Sequence, residues 1–128
     1  LSPGGVLIVG RNASRTEFEQ YWGPLGEDVV YVDAADAFPA INGDETFTLR
    51  DDADAVVDGP TPALQSGDAL RRADLSSGGT WSPVGELDAD PGAGFADGGA
   101  SGVFLTEVSD ASGSGNYVFE YVELQAWP

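Results

Sequence analysis

The sequence predicts an all-β domain with one short helix. Its 128 residues include 18 Gly and 8 Pro, which end regular structure and favour strands that are joined by turns. Val is prominent among the large aliphatic residues, and the apolar residues occur in short runs or alternate with polar ones, as they do in strands. A chain of this length has room for one domain with one hydrophobic core.

The first strand and the helix are predicted by adjacent patterns near the start of the chain. The apolar run at residues 6–9 is typical of a buried strand. Residues 14–17 then fit the S-x-x-E capping box, in which the Ser hydroxyl and the Glu carboxylate bind each other's backbone N–H groups. We expect a helix over about residues 14–21, in which Phe18, Tyr21 and Trp22 share the face that packs against the strands.

Two hairpins are predicted further along the chain, after a strand at residues 29–32. Residues 46–50 alternate in polarity, and they are followed by an acidic turn and a second short strand at residues 55–58. Residues 103–108 and 117–124 are joined by a Ser- and Gly-rich loop and form the second hairpin. Residues 95–102 lie between the hairpins and are predicted to be a Gly-rich linker.

The last predicted strand carries two carboxylates that are candidates for glycoside hydrolysis. A catalytic carboxylate pair of that kind lies roughly 5–9 Å apart. Glu120 shares a face with Val118, Val122 and Leu124, whereas Glu123 shares the other face with Phe119 and Tyr121. Because side chains three residues apart on a strand project to opposite faces, the two carboxylates do not act together. We therefore interpret both as edge or solvated carboxylates, and we predict no catalytic site.

The charge and the missing residue types exclude several function classes. The chain has 22 acidic residues, 5 basic residues and a formal net charge of −17, so phosphate binding, and with it nucleic acid, is disfavoured. It has no Cys and no His, which removes thiol chemistry and the usual general base. The apolar runs are much shorter than the roughly 20 residues that span a bilayer, so no membrane insertion is expected. Because salt screens the self-repulsion of such a chain, the composition would suit a saline, halophilic setting.

Two groups of acidic residues are candidates for calcium binding, because Ca²⁺ takes several oxygen ligands from a flexible loop. Asp51, Asp52 and Asp54 lie in one turn. Asp110, Asn116 and Glu120 flank another loop. Neither group has the spacing of an EF-hand. A solvated acidic surface is the favoured interpretation, and calcium stays the alternative cofactor.

Asn12 is a candidate glycosylation site. Residues 12–14 read Asn-Ala-Ser, which is the acceptor sequence for N-linked glycans in a secreted protein. The structural alternative is that Ser14 is present because it caps the helix. The two interpretations are compatible, because the glycan needs Asn12 and the cap needs Ser14.

Several segments together resemble the lamin tail domain, an immunoglobulin-like β-sandwich that is often repeated in secreted bacterial and archaeal proteins. Residues 1–11 resemble the Pro-Gly-Gly turn and strand that precede a small helical insertion in that family. Residues 38–49 resemble its turn-and-strand signature, residues 51–60 its next strand, and residues 90–94 its closing Pro-Gly segment. The resemblance covers most of the chain and implies an immunoglobulin-like β-sandwich as the fold.

The order of the segments differs from the order in the family. Residues 103–128 are similar to the hairpin that opens a lamin tail module, but here they close the chain, so residues 1–94 correspond to the later part of a module. The resemblance implies a non-catalytic structural or adhesive module, located extracellularly at the cell surface. The permuted order predicts that the terminal hairpin completes the sandwich of residues 1–94 in cis or in trans; closure in trans implies self-association with identical subunits or neighbouring modules as a filament or array, and closure in cis implies a self-closed monomer. The alternative is a calcium- or carbohydrate-binding accessory module of a secreted protein.

Overall fold

The computed structural model describes residues 1–65, 67–75, 79–96, 101–111 and 118–128. Within these residues the chain forms eight strands, one α-helix and two 3₁₀ turns. The strands are β1 (Val6–Gly10), β2 (Val30–Asp33), β3 (Leu49–Arg50), β4 (Val56–Asp58), β5 (Asp68–Arg72), β6 (Trp81–Gly85), β7 (Gly102–Ser109) and β8 (Tyr121–Trp127). Helix α1 is Arg15–Trp22, and the 3₁₀ turns are Ala35–Ala37 and Glu86–Asp88.

The strands form a sandwich of one large and one small sheet. The large sheet has the order β2-β1-β8-β7-β5-β6, and the small sheet consists of β3 and β4. The β1–β2 pair is parallel, and the other pairs are antiparallel. The prediction of an all-β sandwich with one short helix is confirmed.

The large sheet buries apolar side chains on both faces. The face toward the small sheet, here called the hairpin face, carries the core of Phe38, Ile41, Leu64, Leu70, Leu105, Val108, Val122 and Leu124. The opposite face, here called the helix face, carries the core of Val6, Ile8, Ala13, Phe18, Leu25, Val29 and Tyr121. Alternation along β1 and β8 produces the two cores, because successive side chains of a strand point to opposite faces.

Helix α1 begins as the capping box predicts. The backbone N–H of Ser14 donates to the Glu17 carboxylate (2.9 Å), and the N–H of Glu17 donates to Ser14 Oγ (3.4 Å). Phe18 is fully buried on the helix face, and Trp22 Nε1 donates to the carbonyl of Phe119 (2.8 Å). Tyr21 is more exposed and stacks on the Phe119 ring at 4.7 Å. In the described part of the chain, no helix is long and apolar enough to cross a membrane.

The C-terminal hairpin occupies the centre of the large sheet. Strand β8 pairs with β1, where Leu124 lies opposite Leu7, and β7 pairs with β5, where Val108 lies opposite Leu70. One detail differs from the sequence prediction, since Val118 packs with the helix-face core rather than with Val122 on the hairpin face. The cause is the positive φ of Phe119 (+69°), which breaks the extended alternation before β8 begins.

Strands β5 and β6 were not predicted. Charged residues make up much of β5, and β6 contains Pro83, which normally argues against a strand. Pro83 is tolerated because β6 is an edge strand of the large sheet, so its missing N–H breaks no further pairing.

Candidate functional site

A segment without strand structure crosses the helix face over β7 and β8. This segment, residues 88–95, is here called the strap. Side chains of the two central strands accept three of its backbone N–H groups. The bonds run from Asp90 to Glu107 (3.4 Å), from Gly92 to Glu123 (2.6 Å) and from Phe95 to Gln125 (2.8 Å). The three acceptors share a face because Glu107 lies opposite Glu123, and Gln125 follows Glu123 by two residues.

The glycines of the strap allow it to approach the sheet closely. Gly92 has a φ of +90°, and a Cβ there would lie 3.1 Å from Leu25 and 3.3 Å from Val29. Gly94 has a φ of +54°, and its Cβ would lie 2.9 Å from Val6. The predicted linker over residues 95–102 begins inside this packed region, because Phe95 is hydrogen-bonded to the sheet. Residues 97–100 of that linker lie outside the described residues.

The strap, β5, β7 and β8 enclose a polar cavity of about 160 Å³. Its charged lining consists of Arg71, Asp90, Glu107 and Glu123. Arg71 forms an ion pair with Asp90 and lies 3.6 Å from Glu107. Arg71 also donates to the carbonyl of Asp88 at 2.6 Å, so this one guanidinium ties the strap to β5.

The two buried glutamates of the cavity differ in their hydrogen bonds. Glu123 is 1% exposed, and its two carboxylate oxygens accept from Thr106 Oγ1 and from Gly92 N, each at 2.6 Å. Glu107 is 2% exposed, and its contacts with Asp90 N (3.4 Å) and Arg71 (3.6 Å) are long. Hydrogen bonds to a carboxylate stabilise its ionised form, so Glu123 is the better site for the charge and Glu107 for the proton.

The pKa shifts agree with this assignment. Burial, followed by the charge of Glu123, raises the pKa of Glu107 to about 8, although Arg71 opposes the shift. Burial also raises the pKa of Glu123, but the bonds from Thr106 and Gly92 oppose that shift. Of the two carboxyls, Glu107 is therefore the one that holds a proton more tightly.

Glu120 lies on the hairpin face, away from the cavity. Its carboxylate accepts from Ile41 N (2.9 Å), and the residue is 1% exposed. Burial raises its pKa to about 7, which the bond from Ile41 opposes. The prediction that Glu120 and Glu123 project to opposite faces is confirmed, whereas their interpretation as edge or solvated carboxylates is wrong. The alternation showed the direction of each side chain but contained no signal for the segments that cover it.

The calcium candidates have structural partners. Asp110 is 5% exposed and accepts from Gly67 N (2.8 Å), so its carboxylate and that of Glu120 each fix a separate loop. Asn116, the third candidate, lies outside the described residues. In the earlier turn, Asp51 Oδ1 accepts from the N–H groups of Ala53 and Ala55, each at 2.9 Å. Among the described residues, no group of three or more acidic side chains is arranged to hold a metal ion.

Asn12 is exposed and has a left-handed backbone, with a φ of +54°. Its side-chain amide donates to Asp36 Oδ1 at 3.0 Å. Ser14 Oγ donates to the Glu17 carboxylate at 2.6 Å within the capping box. The glycan acceptor atom thus lies at the surface, next to the start of α1.

A second cavity is a groove of about 530 Å³ between the small sheet and the start of β6. Apolar residues form its walls, among them Val56, Pro60 and Trp81. Its floor is the ion pair of Asp58 and Arg72, whose closest atoms are 2.5 Å apart. The Arg72 guanidinium lies 5.8 Å from the ring centroid of Trp81.

Comparisons of the chain with protein-family models, with curated proteins and with solved structures find no match. The resemblance to the lamin tail domain therefore stays a prediction, and the functional argument depends on the geometry described above.

Proposed function

We propose that the chain is a non-catalytic structural or adhesive module of an extracellular, cell-surface protein. The supporting observation is that the fold uses its buried carboxylates as acceptors for backbone N–H groups. The carboxylates with raised pKa values, Glu107, Glu120 and Glu123, accept backbone N–H groups of neighbouring segments. Side chains with such partners stabilise a fold, and the resemblance to secreted lamin-tail modules supports the same role.

The module self-associates, in this proposal, by exchanging its C-terminal hairpin. Strands β7 and β8 are the two central strands of the large sheet, between β1 and β5. Without them, both β1 and β5 would expose unpaired backbone groups, and an unpaired edge recruits another strand. A hairpin from a neighbouring copy can make the same contacts as the chain's own hairpin. If each copy donates its hairpin to the next, the contact is heterologous and generates a filament or array.

Engineered disulfides distinguish closure within one chain from closure between chains, because the chain contains no Cys. Val9 of β1 lies opposite Val122 of β8. Directly opposite residues of antiparallel strands have Cα atoms about 4.5–5.5 Å apart, which a disulfide spans. In the variant with Val9→Cys and Val122→Cys, we expect non-reducing gels to show covalent multimers that increase with protein concentration and with salt.

The matched control joins two residues of the hairpin itself. Val108 lies opposite Val122 within the β7–β8 pair, so Val108→Cys with Val122→Cys crosslinks inside one chain in either arrangement. Multimers in the first variant and monomers in the control would support exchange. If the Val9–Val122 variant stays a crosslinked monomer at every concentration, the hairpin is not exchanged.

The groove at Trp81 favours carbohydrate binding as a second candidate function. Its aromatic ring and its prolines offer apolar contacts, and the Asp58–Arg72 pair beneath them is electrically balanced, which suits a neutral ligand. Titration of tryptophan fluorescence with soluble polysaccharides tests this candidate, and Trp81→Ala should abolish the response.

Calcium is less favoured because Asp110 and Glu120 already accept backbone N–H groups. A higher melting temperature in CaCl₂ than in EDTA at equal ionic strength would restore calcium as a candidate ligand.

A further inference from the structure

We propose that the strap is a pH-responsive clasp, which stays closed while Glu107 and Glu123 share one proton and opens when both are ionised.

The groups around Glu107 offer little compensation for the further negative charge that its ionisation would add to the cavity. The charged and titratable groups that face Glu107 are Arg71 of β5, Asp90 of the strap, and Glu123 and Tyr121 of β8. With Glu107 neutral, the carboxylates of Asp90 and Glu123 exceed the single guanidinium by one negative charge. Ionisation of Glu107 doubles that excess inside a cavity of about 160 Å³. Glu107 and Glu123 are 2% and 1% exposed, so solvent screens the repulsion between these two carboxylates poorly, whereas Asp90 is about half exposed and contributes less.

The strap is the element that can yield to this repulsion. Strands β7 and β8 are held by a backbone ladder that runs from Gly102 opposite Trp127 to Ser109 opposite Tyr121. The strap lacks strand pairing, and side chains make its bonds to the sheet: Glu107, Glu123 and Gln125 accept its N–H groups, and Arg71 of β5 binds Asp88 and Asp90. Movement of the strap therefore admits water to the carboxylates without breaking the sheet.

Histidine does not contribute to the pH range of this transition. The chain has no His, so no side chain with an ordinary pKa near 6.5 changes charge there. In the closed state the pKa of Glu107 is about 8, against an ordinary value of 4.5. Opening exposes the carboxyl to water and returns its pKa toward that value. The closed form thus binds the proton of Glu107 more tightly than the open form. The ratio of open to closed strap should therefore rise about tenfold per pH unit between the two pKa values and level off above the higher one.

Amide hydrogen exchange of the whole chain, measured by NMR from pH 5 to 9, tests the proposal. The protection factor removes the intrinsic pH dependence of exchange. We expect the factors of Gly92 and Phe95 to fall together, by up to about tenfold per pH unit, until about pH 8. Phe95 is the decisive amide, because its acceptor Gln125 does not titrate and loses the bond only if the strap moves as a unit. The amides of β7 and β8 should keep their protection.

Two variants separate the clasp from general effects of pH. Glu107→Gln imitates the neutral carboxyl, so the strap amides should keep constant protection throughout the window. Glu120→Gln removes the other carboxyl with a pKa near this window, but on the hairpin face, and should behave as the unaltered chain. The proposal is overturned if Phe95 protection in the unaltered chain does not change with pH, if Glu107→Gln keeps the full dependence, or if β7 and β8 lose protection in parallel. The measurement on the unaltered chain decides the matter even if Glu107→Gln fails to fold.

Discussion

Replacing Asp58 by alanine removes the acceptor that joins the small sheet to the large one. Asp58 Oδ2 accepts from Arg72 Nη1 (2.5 Å) and from the backbone N–H of Leu105 (2.8 Å). Arg72 is 3% exposed, and its guanidinium also lies 5.3 Å from the ring centroid of Phe104. Asp58→Ala therefore removes a carboxylate partner of the buried Arg72 guanidinium, which keeps its bonds to the carbonyls of Asp74 and Leu105, and removes the acceptor of the Leu105 N–H.

The magnitude follows from those two losses. Removing one partner of a buried ion pair typically costs about 3–5 kcal/mol, and this figure includes the polar groups that are left unpaired. The Asp58 side chain is 13% exposed, so water reaches part of the pair and the lower end, about 3 kcal/mol, is expected. Asp58→Asn retains an acceptor for Leu105 N and should lose less. Small domains have free energies of unfolding of about 5–15 kcal/mol, so the alanine variant should be clearly less stable but still folded enough for its free energy of unfolding to be measured.

Urea denaturation at 25 °C and fixed salt, followed by tryptophan fluorescence, provides the free energy of unfolding. Asp54→Ala is the matched control, because Asp54 is 89% exposed and lies 3.7 Å from Arg50 in an exposed pair. Such pairs contribute about 0–1 kcal/mol, and the left-handed backbone of Asp54 (φ +64°) adds up to about 1 kcal/mol when alanine replaces aspartate there. A loss in Asp58→Ala that is no larger than the loss in Asp54→Ala would refute the assignment of Asp58 as the link between the sheets.

Three further predictions concern the helix cap, the net charge and pH. Ser14→Ala should lower the free energy of unfolding by about 1 kcal/mol, whereas Asn12→Gln, which removes the same glycan sequence but keeps the cap, should lose less, namely an exposed bond to Asp36 and the tolerance of Asn for a left-handed backbone; equal losses would implicate a glycan. The melting temperature should rise from about 0.1 to 1 M NaCl, because screening reduces the repulsion of a −17 chain, and a flat or falling curve contradicts this reasoning. Because the pKa of Glu107 is raised from 4.5 to about 8 in the folded chain, stability should fall by up to about 1.4 kcal/mol per pH unit between these values. Glu107→Gln should reduce that fall, most clearly above pH 7, because the raised pKa of Glu120 also contributes below that pH. An unaltered chain that becomes more stable across the window would exclude a protonated Glu107.

The parts of the fold that sequence reasoning predicted are those whose signals are local. The capping box is complete within four residues, so helix α1 could be placed before any tertiary contact was known. The apolar run that became β1 is equally local. Strands β5 and β6 depend on their neighbours instead, since the charged β5 is buried by β7, and Pro83 is permitted by the edge position of β6.

The candidate site could be predicted only in part, for the same reason. Alternation along β8 placed Glu120 and Glu123 on opposite faces, as the structure has them. Their burial depends on Ile41 and the strap, which are distant in sequence and carry no pattern that pairs them with β8. The composition predicted a Gly-rich linker over residues 95–102, but the glycines just before it serve close approach, because a side chain at Gly94 would collide with Val6.

The buried acids of this chain share one structural role, which connects its composition with its proposed function. Each accepts the backbone N–H of a residue that would otherwise lack a sheet partner for it. The pairs are Asp58 with Leu105, Asp110 with Gly67, Glu120 with Ile41, and Glu123 with Gly92. Buried N–H groups need an acceptor, and a side chain can supply one where no neighbouring strand does so. A chain that is rich in Gly and Pro has many irregular segments, and its abundant carboxylates hold them against the sheet, as a structural module requires. Burial raises the pKa of the glutamates among them, Glu120 and Glu123, and also that of Glu107, and in the proposed clasp this is why the attachment of the strap depends on pH.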